Sequence, residues 1–321
     1  MLAAFHHAIV ALRHASSVVV CGHVRPDGDA VGSVLGMTLA LREAGISAVP
    51  TYADVDEPPT TYSFLPGFGL YAPAEQLDPP DVFIAMDTPV PDRLGLAEYL
   101  VSAAQTVIVF DHHLDGHEFG EINIVDSTAS ATAQLVWEFA KTLGTPSSDV
   151  AECCYVGLVT DTGRFSFDNT TALALRDAAD MVDAGVSPAH ISHRVYQSRS
   201  AGSLAIESRA LSRLTLANNG HVAYTWVTDA DFAELDVRPE EAENLPDAVR
   251  VIGGIDSAVL LRKQGPLVRV NLRSKTGADV AAVAKHFGGG GHKAASGFTF
   301  DGDIDALLPQ LLPLLSGGDQ A

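Results

Sequence analysis

Twelve residues near the start, Gly22 to Ser33, read Gly-His-Val-Arg-Pro-Asp-Gly-Asp-Ala-Val-Gly-Ser. His23, Asp27 and Asp29 supply an imidazole and two carboxylates within seven positions. Such a mixed N/O donor set suits a hard divalent ion such as Mn²⁺ or Mg²⁺ better than a thiolate zinc site. Gly28 and Gly32 relieve crowding and let the backbone come near an anion at a helix start. A plainer alternative is a capped helix. In it Asp29 or Ser33 is the N-cap, Asp27 shapes the turn, and His23 is a satisfied loop residue. The segment alone favours neither.

Three further sites tip the balance. Asp87 follows the apolar run 82–86, and Asp111-His112-His113 follows the run 106–110. Asp161 follows Cys154–Thr160, a run whose length does not separate a strand from a buried helix. One aspartate at such a place is ordinary turn or cap chemistry. Four emergent sites, two of them carrying histidines, point to a metal centre. The candidate ligands are His23, Asp27, Asp29, Asp87, His112 and Asp161. That is more than one octahedral ion needs, but suits two ions sharing a carboxylate. Asp87, alone at its strand end, is the natural bridge. Two ions roughly 3.5–4 Å apart can hold a hydroxide and stabilise both oxygens of an in-line displacement at phosphorus.

The elements that must position these residues follow from periodicity. Ser17 to Cys21 reads as a buried strand, and Val31, Leu35 and Leu39 have the spacing of one helix face. Strand-like and helix-like segments then alternate, as in a parallel α/β sheet with ligands at its carboxyl edge. Helices are expected over 129–143 and 170–184, and another starting at Ser187-Pro188. Strands are expected over 221–227, 257–262 and 268–274, and a helix over 280–287 stopping at Gly288. The expected division is a metal-binding domain at 1–186, a helical connector at 187–205 and a second domain at 206–321. In that second domain Gly288 to Gly291 precede His292 and Lys293. The run reads either as a flexible loop or as a nest of backbone amides for an anion. Its ordering entropy argues against a loop of convenience. Beside Arg273 and Ser274, the residues Gly289, Gly290, Gly291, His292 and Lys293 would form a pocket for the far end of a nucleotide or its next phosphate. Arg164, just past Asp161, is a further phosphate-binding candidate.

The segments His23–Ala30, Asp87-Thr88, Asp111-His112-His113 and Gly157–Gly163 resemble, in order, the four motifs of the DHH phosphoesterases. Phe287 to Gly297 resembles the motif of the associated DHHA1 domain. Together these matches span nearly the whole chain, and length and layout are similar to the NrnA-type nanoRNases. The resemblance implies a parallel-sheet domain with helices on both faces, a smaller α/β DHHA1 domain and an active site in the cleft between them. It implies two Mn²⁺, with Mg²⁺ or Co²⁺ as alternatives. His23, Asp27 and Asp87 would hold one ion, and Asp29, Asp87, His112 and Asp161 the other. His113 would face the substrate phosphate, and Asp111 would orient an imidazole. The implied substrates are short single-stranded RNA, dinucleotides such as pApA, 3′-phosphoadenosine-5′-phosphate (pAp) and cyclic dinucleotides, with a homodimer as the assembly. Cys21, ahead of Gly22-His23, stands where many members carry a polar residue and reads as strand packing.

Composition narrows the field. A chain of 321 residues with 47% hydrophobic content can bury two cores. No apolar stretch reaches the length of a membrane span, and the start reads as a helix of the mature domain rather than a leader. Cys21, Cys153 and Cys154 form no C-x-x-C pair, which fits reduced thiols in a cytosolic protein. The net charge of −20 disfavours binding to long duplex through phosphate neutralisation. An acidic belt from Asp229 to Asp247 gives way to a basic stretch from Arg262 to Lys293, the segment that carries the glycine run. Inorganic pyrophosphatase or exopolyphosphatase is the rival enzyme, although pyrophosphatases carry a different second domain. A silent nucleotide sensor is the rival from another class, and it would be expected to have lost a ligand.

Overall fold

The computed structural model describes residues 1–54, 58–113, 118–242, 245–291 and 293–315, and the chain divides into two compact units, Met1–Gln197 and Ser198–Ala321. The first unit contains strands β1 (Val18–Cys21), β2 (Ala48–Tyr52), β3 (Ala72–Pro73), β4 (Val82–Met86), β5 (Thr106–Asp111) and β6 (Ile122–Val125). Its helices are α1 (Leu2–His14), α2 (Gly28–Glu43), α3 (Glu98–Ala103), α4 (Thr132–Leu143), α5 (Ser148–Asp161), α6 (Ala172–Asp183) and α7 (Pro188–Tyr196). All six strands are parallel, in the order β3-β2-β1-β4-β5-β6.

Both faces of this sheet are buried, which explains why its central strands are apolar runs rather than alternating ones. Val18, Val20, Ile84, Met86, Ile108 and Phe110 point into a core shared with α1, α2, α4 and α5. Their neighbours Val19, Cys21, Phe83, Ala85, Val107 and Val109 point the other way, onto Leu94, Ala97 and Leu100 from a 3-10 stretch and α3. The strand order reverses between β1 and β4, and the crevice beyond the carboxyl ends of such a pair is where open α/β sheets bind ligands. His23 follows β1 and Asp87 follows β4, so the first two donors lie at that reversal.

The second unit contains α8 (Ala201–Ser212), β7 (Thr215–Ala217), β8 (Val222–Thr228), α9 (Asp229–Leu235), α10 (Leu245–Arg250), β9 (Ser257–Gln264), β10 (Leu267–Ser274), α11 (Val280–His286), β11 (Gly290–Gly291), β12 (Ala295–Asp301) and α12 (Ile304–Leu311). Its sheet runs β11-β12-β10-β9-β8-β7, with only β8 and β9 parallel. The alternation of Val268, Val270 and Leu272 fills one core with α11 and α12, while Leu260 and Val227 face α8 and α9. The stretch expected to connect the domains is helical, and the division between units falls between α7 and α8. Among the described residues no helix is long and apolar enough to cross a membrane.

Candidate metal centre

The site is assembled at helix and strand ends. Asp27 caps α2, its carboxylate accepting from the amides of Asp29 and Ala30. The N-cap is therefore Asp27, not Asp29 or Ser33, because a cap must stand outside the first turn to reach its amides. Asp29 sits one step into the helix, 1% exposed, and serves a different element. Helix α4 has no side-chain cap of its own. Asp29 supplies one, accepting from the Thr132 and Ala133 amides at 2.7 and 2.8 Å and from Ser33 Oγ at 3.1 Å. A buried carboxylate at a helix start satisfies orphan amides and meets the positive end of the dipole. Asp161 ends α5, which settles the run before it as a helix.

Such convergence demands close helix packing. A Cβ on Gly157 of α5 would lie 2.4 Å from Ala133 Cβ and 2.8 Å from Asp29 Oδ1. A Cβ on Gly32 of α2 would meet the Cys153 carbonyl oxygen and the Gly157 amide. Glycine at both positions lets α2 and α5 approach until Asp29 reaches α4.

Asp87 lies at the middle of the donors. It is buried, its backbone is left-handed with φ 54°, and its amide donates to the Phe110 carbonyl at 2.9 Å. That uncommon conformation turns its carboxylate back across the strand ends. Thr132 Oγ1 donates to Asp87 Oδ1 at 2.9 Å. His23 Nε2 stands 3.5 Å from Oδ2, while His112 Nε2 and His113 Nδ1 each stand 3.7 Å from Oδ1. Burial would raise the Asp87 carboxyl, but the His23 hydrogen bond and the charge of three imidazoles hold it below the usual carboxylate range.

The histidines are oriented from behind. The Nδ1 edge of His23 meets the Val24 carbonyl at 2.8 Å, and that of His112 meets the Ala129 carbonyl at 3.3 Å. Each ring thereby turns Nε2 toward carboxylates, as metal-binding imidazoles require. His112 Nε2 lies 3.7, 3.8 and 3.9 Å from Asp87, Asp161 and Asp29. His113 is arranged differently, with Nδ1 2.7 Å from the buried Asp111. Burial lowers the His113 imidazole, and the Asp111 hydrogen bond with the Asp87 charge raises it to a net value above the ordinary one.

Three donor trios lie close enough to hold an ion: His23, Asp27 and Asp87; Asp29, His112 and Asp161; and Asp87, His112 and His113, each set of atoms within 4.8 Å of one another. The electrostatics fit bound cations. Burial and the neighbouring carboxylates push the Asp29 carboxyl well up, and burial and Asp87 push Asp161 up to about 6. So many carboxylates in one desolvated place repel each other unless positive charge is supplied, and oxygen-rich donors suit hard divalent ions. The residues present fit such a centre.

The substrate-binding candidates are placed as follows. Arg164 is exposed, left-handed at φ 62°, with its guanidinium 4.9 Å over the Tyr196 ring. Arg273 pairs with Ala295 across the sheet, and its Nε lies 3.7 Å from Asp247. The buried Ser274 amide donates to the Ala294 carbonyl at 2.8 Å. The glycine run differs from an open loop. Gly290–Gly291 form the edge strand β11, paired with Gly297 and Ser296. Side chains would prevent this, because a Cβ at Gly289 or Gly291 would strike the backbone of Gly297 or Ser296. Lys293 is exposed beside it, and His292 lies outside the described residues.

Periodicity missed three residues that act on the donors. Thr132 donates to Asp87, and Asn169 donates to Asp161. Arg93, six positions past Asp87, is half-buried, and its positive charge is felt by both His23 and His113. Its carbonyl accepts from the Val24 amide at 2.7 Å, tying the two motif loops together. A cation so soon after an isolated Asp was the available signal.

Two family profiles match the chain: "DHH family, N-terminal domain" over residues 17–158 and "DHHA1 domain" over residues 219–315. The bifunctional oligoribonuclease and PAP phosphatase NrnA of Thermus thermophilus is 33% identical over 298 residues, which cover 92% of this chain and 88% of the relative. The protein of the same name from Bacillus subtilis is 29% identical, with 92% and 93% covered. The crystal structure of an exopolyphosphatase-related protein from Bacteroides fragilis has a TM-score of 0.92 at 25% identity, covering 99% and 98% of the two chains. With one profile over each unit and a relative one third identical along most of its length, the chain belongs to the DHH family of phosphoesterases, with a DHHA1 domain as its second part.

Proposed function

We propose that this chain is a Mn²⁺-dependent phosphoesterase that hydrolyses short RNA oligonucleotides and pAp to mononucleotides. The observation that carries this reading is the convergence of His23, Asp27, Asp29, Asp87, His112 and Asp161 into close donor trios, with Asp87 between His23 on one side and His112 on the other. The names of the relatives supply the substrate class. His23, Asp27 and Asp87 would hold one ion, and Asp29, Asp87, His112 and Asp161 the second. Two such ions would supply Lewis-acid stabilisation of phosphoryl charge and would make a bound water more acidic.

The chain's own residues do the rest. Asp87 joins the two halves of the centre through its two oxygens. Asp111 engages His113 at Nδ1, so the ring presents its other edge to a phosphate and Nε2 can pass a proton to the leaving oxygen. Arg164 is assigned to a phosphate of the substrate, and within the second unit Arg273, Ser274, Lys293, His292 and the edge glycines Gly289, Gly290 and Gly291 are assigned to the far end of the nucleotide or its next phosphate. Buried thiols at Cys21, Cys153 and Cys154 accord with a cytosolic setting.

One assay panel tests the reading: pAp, pApA, a five-residue RNA, cyclic di-AMP and pyrophosphate, each with Mn²⁺ and followed by product identity. Mononucleotides from pAp or the short RNAs are expected, and chelation should abolish them. Hydrolysis of pyrophosphate alone would replace this reading with the pyrophosphatase one, and cyclic di-AMP cleavage would extend it.

A further inference from the structure

The carboxylate donors are not equally restrained. Asp29 accepts from two amides and a hydroxyl, and Asp87 accepts from Thr132. Asp161 accepts on its carboxylate from a single hydrogen-bond donor among the described residues, Asn169 Nδ2, at 3.1 Å. Its position is also the least favourable. It ends α5, where the helix dipole repels negative charge, and it faces Asp87 and Asp27. Left alone, such a side chain would swing toward solvent.

Asn169 is built to prevent that. Its Nδ2 lies among three acceptors, the Asp161 carboxylate, the Asp161 carbonyl at 3.2 Å and the Ser130 carbonyl at 3.0 Å. Only a donor fits there, so the amide orientation is fixed by its surroundings. Ser130 Oγ donates in turn to the Asn169 carbonyl at 2.5 Å, and the Ser130 amide donates to Gln134 Oε1. Gln134 Nε2 then donates to the buried Asp177 on α6 at 2.6 Å. A chain of hydrogen bonds therefore runs from α6 through α4 to one donor.

We propose that Asn169 is a positioning residue that holds Asp161 against Asp29 and His112, and so sets the affinity of one of two ions while leaving the other unchanged. This rests on the two-ion reading of the centre. Removing an outer hydrogen bond to a metal ligand typically costs about 10- to 100-fold in affinity.

The test is Mn²⁺ binding to the full chain, followed by calorimetry and by the EPR signal of free Mn²⁺, for the parent, Asn169→Ala and Asn169→Ser. The parent should bind two ions. Asn169→Ala should weaken one about 10- to 100-fold and leave the other unaltered. Asn169→Ser keeps a short donor and should recover part of the loss. Turnover of Asn169→Ala should return as Mn²⁺ is raised, with the substrate KM unchanged. Unfolding curves recorded in chelator check that the variants fold, and the serine variant carries the test if the alanine variant does not. Equal weakening of both ions, or two ions bound as in the parent, would overturn the role of Asn169 while the centre stands. A parent that binds fewer than two ions would overturn the centre itself, before any variant is compared.

Discussion

At the scale of single residues, the centre depends on carboxylates kept in the same desolvated place against their mutual repulsion. Asp87 bears most of this, with three imidazoles and a hydroxyl around its two oxygens. Asp87→Ala should lower kcat by more than about a hundredfold, the upper range for loss of an outer partner alone. It should also reduce Mn²⁺ stoichiometry from two to at most one, measured by calorimetry. Near-parental turnover would remove the bridging role. The aspartates and histidines of this centre were legible because each follows an apolar run or opens a helix, where a polar residue stands out. Thr132 and Asn169 were not, because their donation depends on α4 and the loop after α5 reaching the donors in space. No local period records such an approach. Arg164 shows the same limit, since proximity to Asp161 in sequence did not foretell its stacking on Tyr196.

At the scale of elements, helix α5 must lie almost against α2. Gly157→Ala places a methyl group where Ala133 and Asp29 already are. Overpacking of this kind costs about 1–3 kcal/mol, and here it also pushes Asp29 from the α4 amides. A lower thermal midpoint together with weakened Mn²⁺ binding is expected; an unchanged midpoint would mean the helices can part freely. Sequence left α5 ambiguous because a helix buried on most sides and a buried strand are both continuous apolar runs. The glycine run read as a loop or nest for a related reason: its pairing as an edge strand against β12 is visible only once the partner strand is in place. In the second unit a different element is pinned by charge. Asp231 opens α9 in a capping box with Thr228, and it accepts from Arg213 and Arg209. The Arg213 hydrogen bonds, with those from Thr228 and Arg209, hold its carboxyl well below the ordinary range against the opposing effect of burial. A depressed carboxyl stabilises the fold above its unfolded value, near pH 4, and that stability is lost as pH falls through the folded value. Urea midpoints at pH 7, 4 and 3 should therefore fall for the parent in the acid range. Asp231→Asn should start lower at pH 7 and lose less on acidification.

At the scale of the whole molecule, the six donors and the basic stretch fall in different units. His23, Asp27, Asp29, Asp87, His112 and Asp161 all belong to Met1–Gln197, while the basic stretch from Arg262 to Lys293 belongs to Ser198–Ala321. Each unit has its own buried core, so each can be asked separately what it binds. With a net charge of −20, the chain offers an anionic substrate few favourable places, and bound cations would create one in the first unit. A ligand that binds the native state alone stabilises it by RT ln(1 + [L]/Kd), about 2.7 kcal/mol at a hundredfold excess over Kd. Fragment 1–197 should therefore melt at a higher temperature when Mn²⁺ is added, by an amount that grows with Mn²⁺ concentration. Fragment 198–321 should melt at the same temperature with or without the ion, because none of the six donors lies in it. A Mn²⁺-dependent rise in the second fragment would mean that its own carboxylates, such as those of the belt from Asp229 to Asp247, bind the ion. A fragment 1–197 that is folded yet indifferent to Mn²⁺ would show that the six donors do not suffice without the rest of the chain.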